Sequence, residues 1–107
     1  MSSLRWNTRF AMEQVVGDRQ LLLELLAIFK TSFAEDMAAI RYGLSGDDIS
    51  KAVSAAHSIK GASASIGLDG ITEAARKLED EGKAGHLTEA RRCLRQLETM
   101  LRELEAL

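Results

Sequence analysis

Proline is absent from this chain, aromatic residues number five, and there is one cysteine. The lack of proline and the shortage of aromatic side chains point to helices and away from a β-sandwich or barrel. The lone Cys93 excludes an internal disulfide and fits a reducing compartment. Long apolar runs are missing too. The greasiest stretch, Leu21–Phe29, is short and broken by Glu24, so it cannot span a bilayer. No N-terminal segment has the apolar core of a secretory signal. Neither sign of charge dominates, the net being −2, so the basic face that nucleic acid requires is not expected. There is no internal repeat, low-complexity tract or linker. Nor is there a Gly-rich phosphate loop, a nucleotide-binding βα unit or an acidic cluster of Mg²⁺-ligand type, which removes a self-contained kinase.

What remains is ordinary in bulk: 107 residues, 46% apolar and 28% charged, enough for one domain with a modest core. The expectation is a single all-helical cytoplasmic domain over residues 1–107, without direct membrane contact.

Glycines punctuate it. Gly17, Gly43, Gly46, Gly67, Gly70, Gly82 and Gly85 fall between periodic segments. Asp18, Asp47 and Asp69 read as N-caps of the three helices that follow these breaks. The helix after Asp18 carries Leu22, Leu25, Leu26, Phe29, Phe33, Met37, Ile40 and Leu44 on a broad apolar face. The next, Asp47–Ile66, has a stripe of Ala52, Ala55, Ile59, Ala62 and Ile66. Ile71, Ala74, Ala75 and Leu78 give the third a short stripe. Leu87, Ala90, Leu94, Leu97, Leu101 and Leu104 recur by threes and fours in the last, a bundle seam. Four helices with short loops predict an antiparallel up-down four-helix bundle. A short extra helix over Thr8–Val16 precedes it, with Trp6, Phe10 and Ala11 available to cover one end of the core. Because the leucine seam has partners within the chain, a monomer is expected.

One glycine breaks the pattern. Gly61 lies inside the second long helix, where it costs about 1 kcal/mol relative to alanine. Ala55, Ala56, Ala62 and Ala64 show that alanine suits that helix. Gly61 is four residues beyond His57 and shares its face. At roughly 100° per residue, His57 lies nearly opposite the apolar stripe, among Ser50, Val53, Ser54, Lys60, Gly61 and Ala64. An exposed imidazole beside bare backbone implies that something large approaches the ring closely. Lys60, one turn on, implies that what arrives is anionic.

The run Ala56-His57-Ser58-Ile59-Lys60-Gly61, continuing through Ala62-Ser63-Ala64-Ser65-Ile66-Gly67, resembles the signature of histidine-containing phosphotransfer (HPt) domains. That pattern is His-x-(apolar)-Lys-Gly-x-x-x-x-(apolar)-Gly. The likeness extends to Trp6-Asn7, to the Val16-Gly17-Asp18 turn and to Leu78-Glu79. Gly85-His86 departs from it, since Gly-Asp is frequent there, and implies a weaker cap on the last helix. The resemblance implies a phosphorelay carrier that moves a phosphoryl group between aspartates of response-regulator receiver domains. It also implies a setting either free-standing or within a hybrid sensor histidine kinase. His57 would be phosphorylated on Nε2. Family members often place a Glu or Gln on the next helix to hold the Nδ1 proton, which lands on Glu79. Lys60 would offset phosphate charge, and Gly61 would admit the receiver, with Val53, Ser54 and Ala64 in the docking face. No cofactor of its own is implied; Mg²⁺ would belong to the receiver. A neutral imidazole, whose ordinary pKa is about 6.5, is a competent nucleophile near neutral pH.

The same residues also admit a helical adaptor that binds such partners without phosphotransfer, and Glu79 as a solvated carboxylate paired with Lys83. A metal site from His57, His86 and Cys93 lacks ligand spacing. Cys93, beside the leucine seam, reads as a small core residue, and Ser54, Ser58, Ser63 and Ser65 as small helix residues.

Overall fold

The computed structural model describes residues 3–46 and 48–107. They form five helices: α1 (Thr8–Gln14), α2 (Arg19–Ser45), α3 (Ile49–Ser65), α4 (Asp69–Lys83) and α5 (Leu87–Glu105). No strand occurs among the described residues; an isolated backbone bridge pairs Trp6 with Leu68. α2 packs on α3 and α5, α4 packs on the same two, and α1 lies against α2. The long dimension of the molecule, 43 Å, is close to the rise of the 27-residue α2 at about 1.5 Å per residue.

The core that joins these helices includes Phe33, Met37 and Ile40 of α2, Ile59 of α3, Ile71 and Leu78 of α4, and Leu97 and Leu104 of α5, all fully buried. Each such side chain contributes about 1.5–3 kcal/mol of burial free energy. Phe29 and Phe33 stack with centroids 5.3 Å apart. On α5 the seam falls on Ala90, Cys93, Leu97, Met100, Leu101 and Leu104, while Leu87 and Leu94 are only partly buried.

Several local expectations change. Asp18 does cap α2, accepting from the Leu21 amide. Asp47 lies outside the described residues; the cap of α3 is Asp48, which accepts from the Lys51 amide at 3.1 Å. Asp69 is not a cap but the first residue of α4, where its charge meets the positive end of the helix dipole. His86 occupies the N-cap position of α5 without a capping bond, because its Nδ1 turns to Glu81 Oε2 at 2.7 Å. α1 is shorter than Thr8–Val16, since Val16 and Gly17 take positive φ. Leu25 is exposed: the apolar face of α2 is too broad for one contact, and the core takes Leu26 and Phe29. Ala62 is also exposed, whereas Ala56 and Ser63 are buried.

Gly43, Gly70 and Gly82 sit inside helices, not between them. They are places of close approach. A Cβ on Gly43 would stand 2.6 Å from the Asp48 carbonyl oxygen, and one on Gly82 would stand 2.8 Å from Val53 Cγ2. α2 therefore continues through Gly43 to Ser45, and the Arg91 guanidinium donates to the Leu44 carbonyl at 3.2 Å near its end.

The N-terminal segment fastens one end. Trp6 donates its indole N–H to the Ile66 carbonyl at 2.9 Å, and the Asn7 amide donates to the Gly67 carbonyl at 2.8 Å. Trp6 and Ala11 cover this end as expected, while Phe10 is more than a third exposed.

Candidate functional site

α3 presents His57 on the face its periodicity predicts. Ala52, Ala55, Ala56 and Ile59 are buried on one side, and the His57 side chain is 67% exposed on the other. α4 crosses beside it because Gly82 lets Val53 pack against bare backbone, one turn from Glu79 on the same helix.

That approach brings a buried carboxylate to the ring. Glu79 is 3% exposed and has three basic partners. Its Oε2 lies 2.8 Å from His57 Nδ1. Its Oε1 accepts from Lys60 Nζ at 2.7 Å, and Lys83 Nζ is 3.3 Å from Oε2. The hydrogen bond from Lys60 is the largest influence holding the Glu79 pKa down, to about 2; burial opposes it, and His57 and Lys83 add to it.

An ionised carboxylate only accepts hydrogen bonds. The 2.8 Å contact therefore requires the proton on Nδ1, and in the neutral ring it leaves the Nε2 lone pair free. The arrangement fixes the tautomer as well as the ring's orientation.

Gly61 lies one turn beyond, and a Cβ there would meet nothing within 4 Å. Packing does not require glycine at this position. On the other side, burial pushes the Asp36 carboxyl of α2 above the usual range, and the nearby Ser58 hydroxyl partly offsets the shift.

The model of the Hpt domain matches residues 24–107, most of the chain. The chain belongs to the Hpt domain family. No curated protein and no solved structure matches it. Hpt domains work in histidine phosphotransfer within phosphorelays, as carriers and not as kinases, and interact with receiver domains of response regulators.

The structure gathers His57, Lys60 and Glu79 into one hydrogen-bonded cluster beside Gly61. Glu79 is not the solvated carboxylate of the competing reading, although the Lys83 contact which that reading foresaw is present. Ser54 and Ala64 are exposed, and Val53 is half-buried against Gly82. Among the described residues, no group of three His, Cys, Asp or Glu side chains is arranged to hold a metal, and no helix is long and apolar enough to cross a membrane.

Two features escaped the sequence. Ser63 is buried, and its hydroxyl lies 2.8 Å from that of Thr72, tying α3 to α4 through a polar contact that no periodicity signals. The other is a second apolar stripe on α2, with Leu21, Leu25 and Ile28 all exposed. Its signal was available as i, i+4, i+7 spacing beside the buried Leu22, Leu26 and Phe29 series.

Proposed function

We propose that this Hpt domain accepts a phosphoryl group on His57 Nε2 from an aspartyl phosphate of one receiver domain and passes it to an aspartate of another. The observation that carries the reading is the bond between Nδ1 of an exposed histidine and a buried, ionised glutamate. The Nε2 lone pair attacks phosphorus in line, the P–O bond to the aspartate breaks, and the electron pair leaves with that carboxylate. The ring becomes positively charged as the P–N bond forms, and Glu79, already facing Nδ1, stabilises that charge without rearranging. Lys60, 31% exposed and anchored on Glu79, offsets phosphate charge. Running the steps backwards delivers the group to the second aspartate. Mg²⁺ and the reacting carboxylates belong to the receivers; this chain supplies no ATP-dependent kinase activity.

Docking rests on a surface that is apolar and low in relief. Gly61, Ala64 and Ser54 keep the neighbourhood of the ring small. Leu25 and Ile28 of α2, with Ala62 and Ser65 of α3, line a groove of about 260 Å³. The exposed stripe of α2 suits the apolar part of a receiver surface. The short connections between α2, α3, α4 and α5, and their cyclic packing, support an antiparallel up-down bundle as the scaffold. We place the domain in the cytoplasm, as a monomer that meets receivers transiently.

Incubation with phosphorylated receivers tests the reading. The wild-type domain should gain an acid-labile, alkali-stable phosphate that His57→Gln does not. Receiver binding without transfer to the wild type would favour a helical adaptor instead.

A further inference from the structure

Lys83 is the member of the cluster that the reaction as described does not use. It stands four residues after Glu79 on α4, and its Nζ reaches the same oxygen, Oε2, that faces His57 Nδ1. Its side chain is 62% exposed, so its contribution to stability is small. Its effect on the ring follows from charge.

A carboxylate bonded to an imidazole favours the protonated ring, which has no free lone pair on Nε2. Glu79 alone would therefore orient His57 while making it a poorer nucleophile at neutral pH. Two lysines on the same carboxylate change the balance. With the ring neutral, the group of Glu79, Lys60 and Lys83 carries a net charge of +1, so adding a proton to His57 places a third cation around one carboxylate. The charged groups facing the ring are Glu79 and Lys83 from α4 and Lys60 from its own helix. From α2, Asp36 lies near Ser58, the neighbour of His57, and opposes the lysines from farther round the helix.

We infer that Lys83 is a positioning residue of the phosphotransfer site: by sharing Glu79 Oε2 with the imidazole, it opposes protonation of His57 while Glu79 holds the tautomer. The inference rests on His57 being the phosphoryl acceptor. Lys60 adds to the same balance through the other oxygen of Glu79, and it is also in place to meet the incoming phosphate.

The size follows from geometry. Both nitrogens reach one oxygen, so they stand no more than about 6 Å apart. Two charges at that distance in a water-like dielectric shift a titration by about half a pH unit. Below the midpoint the neutral fraction falls in proportion, so acceptance should drop about threefold.

The test is titration of the His57 ring by proton NMR in the wild type, Lys83→Gln and Lys83→Arg, with the signal assigned by its loss in His57→Gln. Phosphoryl acceptance from one receiver is then measured against pH on the same proteins. Lys83→Gln should titrate about half a unit higher and need higher pH for the same acceptance rate, and Lys83→Arg should restore both. A Lys83→Gln ring that titrates with the wild type overturns the inference. If the wild type accepts no phosphoryl group at any pH, the carrier reading fails, while the ring titration still decides whether Lys83 governs the proton on His57.

Discussion

Replacing Gly61 with alanine should move stability and function in opposite directions. Glycine inside a helix costs about 1 kcal/mol relative to alanine, and a Cβ at Gly61 meets nothing within 4 Å, so no clash offsets the gain. For a domain of this size, about 1 kcal/mol raises Tm by roughly 4 °C. The same methyl group projects from the helix one turn from His57, on the side a receiver must cover. Holding the aspartyl phosphate back by about 1 Å costs about a hundredfold in rate. Gly61→Val should lose more activity than alanine, and its β-branch returns part of the helix gain. Melting temperature and receiver-to-domain transfer, measured on the same samples, check both halves. A Gly61→Ala domain that melts lower than the wild type, or that transfers at the wild-type rate, refutes the docking account.

His57→Gln should abolish phosphoryl acceptance and leave helical content unchanged by circular dichroism, without a large loss of Tm, because the side chain is outside the core. Glu79→Ala should slow transfer without eliminating it, since the nucleophile survives but its tautomer and orientation are no longer held; an unchanged rate would reduce Glu79 to a structural carboxylate. The Glu79 pKa is depressed from 4.5 to about 2 in the folded domain. Its contribution to stability is therefore fully present above about pH 5 and is lost as pH falls through 4.5 towards 2. The loss is at most about 3 kcal/mol, and less once solvent screens the exposed His57 and Lys83. Denaturation midpoints across that range should fall less steeply for Glu79→Gln than for the wild type.

The site was more legible than the packing around it. His57, Lys60 and Gly61 lie on one helix, so their relation is fixed by 3.6-residue periodicity. Glu79 lies on the next helix, and its reach to His57 came from a family likeness, not from spacing. What the sequence did not reveal lies between helices. Gly43 and Gly82 read as punctuation because glycine between periodic segments and glycine at a helix crossing look alike along the chain. Only the positions of Asp48 and Val53 tell them apart. Ser63 read as one small helix residue among several because its burial depends on Thr72 supplying a partner from α4. Leu25 looked like core because a helix with two apolar stripes resembles one with a single broad face.

The central claim is that Glu79 holds the Nδ1 proton so that His57 reacts through Nε2. The most direct measurement is the position of the phosphoryl group on the ring, read by phosphorus–nitrogen NMR coupling in a domain labelled with ¹⁵N-histidine and charged by a phosphorylated receiver. The account predicts phosphorus bonded to Nε2 of His57, with Nδ1 still protonated against Glu79. Phosphorus on Nδ1, or on His86, would contradict it.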